Sequence, residues 1–353
     1  MKVTIKTVLC ILSILAITLS TSGVPYAKDT FEFKGASATV PSHPLGKAGS
    51  YFKEIVEKKS QGRIKIKWYV GGALGGEQAI LNQLKDGVVQ FATLSTAIAG
   101  TLNPKVMTMF TPYFIMDWDN FNNQFLKSKS SKTLLNGLQK FGIQGYNWVP
   151  YGFDALAYKG DPIRTFEDCK GRKLRAAESY VIKGTLEALG FNTSPIPWNE
   201  AYQSIQQKVV DGLTTPPGMV KMGRFDELVD NLTLSNHLFG THVFWVKEDT
   251  LTKLPDDLKQ IFLESIHEAC LKEQKEAQGL DEKSVDDMRK KEIKIWTLSK
   301  EETKRWVKAT SIVYKEHESR IDKFSGDGRA FMQQIFKSLG RDYDREVYGK
   351  NLD

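Results

Sequence analysis

Gln83-Leu84-Lys85-Asp86-Gly87 and Val209-Val210-Asp211-Gly212-Leu213-Thr214-Thr215 are the stretches on which the fold turns. Each closes a helical pattern with an Asp-Gly step and opens a strand. In the first, a helix starting after the glycine-rich run Gly71 to Gly76 reaches about Lys85, and a strand follows through Phe91 to Leu94. In the second, a helix over Asn199 to Lys208 is followed by a strand ending at Thr215. The same unit in both halves predicts two related α/β lobes. Two such lobes facing one another leave a cleft between them.

Working outward, Phe31 to Lys34 reads as an opening strand. Leu45, Ala48, Phe52, Ile55 and Val56 share one face of a helix over Leu45 to Lys59, which Gly62 ends before a strand over Ile64 to Val70. In the second half, Thr165-Phe166-Glu167-Asp168 resembles a helix cap. Strands are expected at Lys173 to Ala176 and Thr193 to Ile196, with a helix over Ser179 to Leu189 between them. From Asp256 to about Glu292 the chain runs without proline and with the single internal glycine Gly279. That predicts one long helix, enough to bridge both lobes. Ser299 and Glu302 form a capping-box pattern opening a helix to about Ile321, and the last thirty residues read as a short helix and a loose tail.

The first 27 residues read as a secretory signal peptide. Lys2 and Lys6 precede an apolar run from Val8 to Leu19, and small residues lead to Val24-Pro25-Tyr26-Ala27. Cleavage is expected after Ala27, with Gly23 as the other site. The apolar run is too short for a span, which needs about 20 residues. The 353-residue chain carries a net charge of +7, and removing that segment takes away two lysines and no acid, leaving +5. These charges are interspersed rather than clustered, which argues for a solvated surface and against a nucleic-acid partner. Cys169 and Cys270 show no metal or CxxC spacing. Burial as free thiols is the simpler reading, and one long-range disulfide is the other.

Signatures of catalysis are absent from the sequence. It contains no GxSxG, no Walker loop and no GxGxxG, and the histidines at 43, 237, 242, 267 and 317 have no metal-ligand spacing. A non-enzyme without metal or cofactor is expected.

Seven stretches, in this order and spacing, carry a resemblance: Phe52 to Ile64, Gly71 to Glu77, Gln83 to Gly87, Pro162 to Arg175, Trp198 to Tyr202, Val209 to Gly212 and Asn236 to Leu238. In them the chain resembles the solute-binding subunits of tripartite ATP-independent periplasmic (TRAP) transporters, the DctP-type dicarboxylate-binding proteins. The resemblance implies a two-lobed periplasmic-binding-protein fold with a hinge and a long helix spanning both lobes. Lobe I would comprise 28–151 with 241–280, and lobe II 152–240 with 281–353, the chain crossing near Tyr151 and Gly240. It further implies a monomeric receptor in the periplasm that hands a small carboxylate to small and large membrane subunits.

The family's central arginine falls at Arg175 in Gly171-Arg172-Lys173-Leu174-Arg175. A guanidinium suits a carboxylate because its planar fork donates two parallel hydrogen bonds. By the same resemblance Glu77, Ser95, Glu178, Trp198 and Thr241 belong to the pocket, Trp198 as an aromatic face, while His237 reads as structural. Two positions depart from the family pattern. Where an arginine commonly follows Gly-Phe, this chain has Asp154 after Tyr151-Gly152-Phe153. Where an asparagine is common, it has Thr215, which can still donate one hydrogen bond. Asp154 would repel a second carboxylate. The expected ligand is therefore a monocarboxylate whose remainder is apolar, aromatic or cationic. The competing readings are a binding protein that serves a membrane sensor kinase and a secreted enzyme acting on a carboxylated substrate.

Overall fold

Residues 29–349 are described by a computed structural model, so the signal-peptide segment lies outside the described residues. Strands β1 (Phe31–Ala36), β2 (Ile64–Tyr69), β3 (Phe91–Ser95), β4 (Ile143–Phe153) and β10 (Phe239–Lys247) form one sheet in the order β2-β1-β3-β10-β4. β1 runs parallel to β2 and β3, whereas β10 lies antiparallel between β3 and β4. Helix Pro44–Lys59 packs on this sheet. Pro44 occupies a first-turn position where its missing N–H costs nothing, and His43 Nδ1 accepts the Leu45 N–H. The helix's apolar face includes Phe52, whose ring stands edge-on to Phe91, Phe244 and Phe262 at 4.8–5.1 Å. Burying one such ring contributes roughly 1.5–3 kcal/mol.

The second sheet has the order β11-β9-β5-β8-β6-β7, built from β5 (Ala155–Tyr158), β6 (Lys173–Ala176), β7 (Asn192–Pro195), β8 (Gly212–Thr215), β9 (Asn231–Leu234) and β11 (Lys294–Thr297). Its parallel core, β7-β6-β8, carries helices Tyr180–Ala188 and Trp198–Gln206 as crossovers. Both sheets are thus the α/β layers the repeated helix, Asp-Gly, strand unit implies.

The chain passes between the sheets at two places. β4 becomes β5 with Asp154 as the sole intervening residue, and β9 returns to β10 through residues 235–238. The crossings are tied to each other, since the Asp154 N–H donates to the Leu238 carbonyl at 2.9 Å.

Two features differ from expectation. The long helix is two helices, Asp256–Gln278 and Leu280–Arg289, meeting at Gly279. The first buries Leu258, Phe262 and Ile266 with Phe52 of the first sheet's core, and the second buries Val285 and Met288 with Leu213 and Leu232 of the second. Glycine is the least helix-favouring residue after proline, and the break falls where the chain changes lobes. The C-terminal segment also departs from its expected place with the second lobe. Helix Lys300–Ser325 puts Trp306 and Val313 into the second lobe's core but Tyr314 and Ile321 into the first's, so it too bridges the lobes. Beyond it stand two ordered helices, Gly328–Lys337 and Tyr343–Tyr348. Phe331, Phe336 and Tyr343 on them pack into the first lobe, where a loose tail was expected. Cys169 and Cys270 are buried free thiols in different cores. Among the described residues, no helix is long and apolar enough to cross a membrane.

At the crossing, Gly152 has φ +122°, and a Cβ there would overlap the Asp281 carboxyl. That carboxyl reaches over from helix 280–289 to accept the Gly218 N–H at 2.8 Å. Gly152→Ala should therefore lower stability by about 1–3 kcal/mol, the range for a side chain forced into disfavoured backbone. Denaturant unfolding checks this, and an unchanged midpoint would contradict the packing described.

Candidate functional site

Between the lobes lies a cavity of about 60 Å³ with walls from both sheets. Arg175 enters it from β6, where backbone pairing with Ser194 and Leu213 fixes the strand on both sides. The residue is only 5% exposed. Its Nε donates to the Ile196 carbonyl at 2.8 Å, which sets the plane of the guanidinium. The terminal nitrogens have no hydrogen-bond partner among the described residues. Burial pulls its pKa down to about 10, opposed by the acidic groups of Tyr151, Glu77, Asp154 and Glu178, so it stays a cation at neutral pH. Trp198, the first residue of helix 198–206, lies with its ring 5.7 Å from the guanidinium carbon. The indole is held edge-on by Phe225 at 5.2 Å.

Glu77 opens helix Glu77–Lys85 and is engaged by its own lobe. Oε1 accepts the Ser95 N–H at 2.8 Å and Oε2 accepts the Ser95 hydroxyl at 2.7 Å. His242 Nε2 stands 3.4 Å from Oε1, and burial lowers its pKa, keeping the imidazole neutral. Ser95 Oγ in turn accepts the Ile98 N–H, capping the short helix that follows.

Asp154, the crossing residue, is 4% exposed and faces the same cavity. Burial raises its pKa to about 7, against the opposing hydrogen bond from Thr214 and the charge of Arg175. Thr214 Oγ1 lies 2.9 Å from Asp154 Oδ2 and 3.1 Å from His237 Nε2, while Ser235 Oγ lies 2.7 Å from His237 Nδ1. Burial takes His237 down to about 3, so the ring is neutral. Thr215 lines the cavity as well, its hydroxyl without a partner among the described residues.

Six of the eight expected residues thus meet in one cavity: Arg175, Glu77, Ser95, Asp154, Trp198 and Thr215. Two stand apart from it. Thr241 is fully buried on the opposite side of β10 from His242, because successive strand residues face opposite ways, and its hydroxyl donates to the His242 carbonyl. Glu178 lines a separate surface groove with Tyr180 and Arg320, since the chain leaves the β6 direction after Ala176.

Tyr151, His242 and Thr214 are cavity residues that sequence reasoning missed. Tyr151 is the extra residue of a β-bulge. Gly152 pairs with Gly240 and Pro150 with Thr241, leaving Tyr151 unpaired, and a bulge re-aims the side chain it carries. Gly240 makes room for its ring, which a Cβ at that position would overlap. Alternation along β10 could have pointed to His242 rather than Thr241. No signal in the sequence marks the bulge.

Among the described residues no group of three or more His, Cys, Asp or Glu is arranged to hold a metal. What remains is one buried cation, two carboxyls, hydroxyls and an aromatic face around a small volume, which is the equipment for holding a small polar solute.

Residues 35–320 match the family model of bacterial extracellular solute-binding proteins, family 7 (DctP). The chain is 26% identical over 292 residues to the C4-dicarboxylate-binding protein DctB of Bacillus subtilis, covering 82% of this chain and 83% of that protein. It is 24% identical over 295 residues to the ectoine-binding periplasmic protein TeaA of Halomonas elongata, covering 80% and 86%. A TRAP periplasmic solute-binding protein from Sulfurospirillum deleyianum, solved with bound succinate, superposes with a TM-score of 0.80 at 27% identity, over 87% of this chain and 98% of that one. The α/β fold is shared with that solved structure, and the chain belongs to the bacterial extracellular solute-binding proteins of family 7, the DctP family.

Proposed function

We propose that the chain is the extracytoplasmic solute receptor of a TRAP transporter, working in the periplasm as a monomer and delivering its ligand to a small and a large membrane subunit. The ligand lies between the lobes with a single carboxylate on Arg175. The observation that carries this reading is the buried guanidinium with Nε spent on Ile196 and its terminal nitrogens turned to the cavity. Charge-assisted bonds of that kind contribute roughly 1.5–3 kcal/mol each. Thr215 and Tyr151 offer hydroxyls, and Trp198 offers a stacking face.

A second carboxylate has no cation to meet. Glu77 and Asp154 already face the cavity beside Arg175, which is its one arginine or lysine among the described residues. The remainder of the ligand is therefore apolar, aromatic or cationic.

Ligand binding stabilises the protein by mass action, by about 2.7 kcal/mol at a hundredfold excess over Kd. In a thermal-shift screen, monocarboxylates should raise the Tm, and Arg175→Ala should abolish the shift while leaving the unliganded protein folded. A variant that still responds normally would remove Arg175 from the site. In the same screen succinate and malate should give little or no shift, and stabilisation by those two alone would overturn the single-carboxylate reading.

A further inference from the structure

Asp154 is the one cavity carboxyl whose outward oxygen is unclaimed. Glu77 is taken up by Ser95 and lies beside His242, whereas Asp154 is held only at Oδ2, and Oδ1 has no hydrogen-bond partner among the described residues. Behind Oδ2 runs a buried chain whose protons can be counted. Thr214 has one hydroxyl proton and two neighbours, Asp154 Oδ2 and His237 Nε2. With the proton donated to Asp154, Thr214 accepts from His237 Nε2–H, and His237 Nδ1 accepts the Ser235 hydroxyl. Every member is then satisfied over contacts of 2.7–3.1 Å. The reverse orientation must send the Ser235 proton to the Asp154 main-chain oxygen, 3.5 Å away. The favoured orientation points three donors in series toward Asp154 and suits its ionised form.

An ionised carboxylate buried in this way needs a cation, and Arg175 is shared with Glu77. A plain carboxylate ligand would bring three negative groups around one guanidinium. A ligand that carries its own positive charge removes the imbalance and supplies a donor for Oδ1. We infer that the solute is a zwitterion, its carboxylate on Arg175 and a protonated primary or secondary nitrogen donating to Asp154 Oδ1, an inference that rests on the single-carboxylate reading above. Asp154 is the specificity-determining residue, and Thr214, with His237 and Ser235 behind it, positions its carboxyl.

The test uses matched probes on the whole protein: proline against cyclopentanecarboxylate, alanine against propionate, and 4-aminobutyrate against butyrate, by isothermal titration. In at least one pair the amine-bearing member should bind about 100-fold more tightly, the scale of a buried charge pair. Asp154→Asn should remove that advantage and bring the two members of the pair within a few-fold. Thr214→Val should weaken the amine-bearing member about 10-fold more than its partner, a selectivity that a merely structural role would not produce. The inference is overturned if no amine-bearing probe is favoured by the unaltered protein, whether or not the variants fold. Arg175→Ala separates the two readings. Should plain carboxylates bind as well as their amines, and that variant lose both, the carboxylate anchor stands and the zwitterion falls.

Discussion

A guanidinium kept out of water is the constraint around which the molecule is arranged. Desolvation works against the charge of Arg175, and its pKa falls accordingly. The strand pairing of β6, the Ile196 carbonyl and the Trp198 ring together hold it in one orientation. None of these alone compensates for lost hydration. The nearby carboxyls do, and they come from different places: Glu77 from the first lobe and Asp154 from the crossing. Glu178 adds its charge from Arg175's own lobe, while Glu77 and Asp154 act from across the cavity, so the electrostatics of the cavity depend on how the lobes meet.

The crossing has its own concentration of buried acid. Asp154 and Asp281 are each pushed up to about 7 by burial, and the charge of Asp281 raises Asp154 further. Asp154 is anchored by its own N–H on Leu238 of the return crossing, and Asp281 by its carboxyl on Gly218 of the second lobe's short helix Pro217–Met222. Away from the cavity, helix 300–325 makes a second tie. His317 accepts the Tyr180 hydroxyl at Nδ1 and donates from Nε2 to Thr108, whose own proton is spent on the Lys105 carbonyl. Burial holds that imidazole neutral, with a pKa of about 3, so this tie keeps its hydrogen-bond pattern while the acids at the crossing titrate.

What could be read from the chain follows from what is local. The Asp-Gly steps, the Phe52 face of helix 44–59 and the Ser299 cap are all encoded within a few residues, and they appear within a residue or two of where periodicity puts them. Arg175, Trp198 and Glu77 could be placed because the family resemblance carries them in short local motifs, which fall at element boundaries. The misses are long-range. Alternation along β10 separates Thr241 from His242, but which of the two faces the cavity is fixed by the register with β3, where His242 pairs with Ser95. The outward turn of Tyr151 depends on a bulge that only the opposite strand defines. The docking of Phe331 and Phe336 onto the first lobe depends on a core assembled some 200 residues earlier in the chain, and an amphipathic helix carries no label for the surface it will cover.

That division has a consequence for specificity. Backbone layers are specified by many weak, redundant signals, so a solved relative at 27% identity keeps the same fold with a TM-score of 0.80. Ligand chemistry is carried by a handful of side chains with no redundancy. In this chain Asp154, the residue proposed to set specificity, is the one residue between β4 and β5. A side chain there is coupled to the hinge through its own main chain and to the second lobe through Thr214 and His237. A change of ligand type at this position therefore cannot be independent of how the lobes meet. The buried polar chain behind Asp154 is what would let a carboxyl replace a cation there without leaving a polar group unsatisfied.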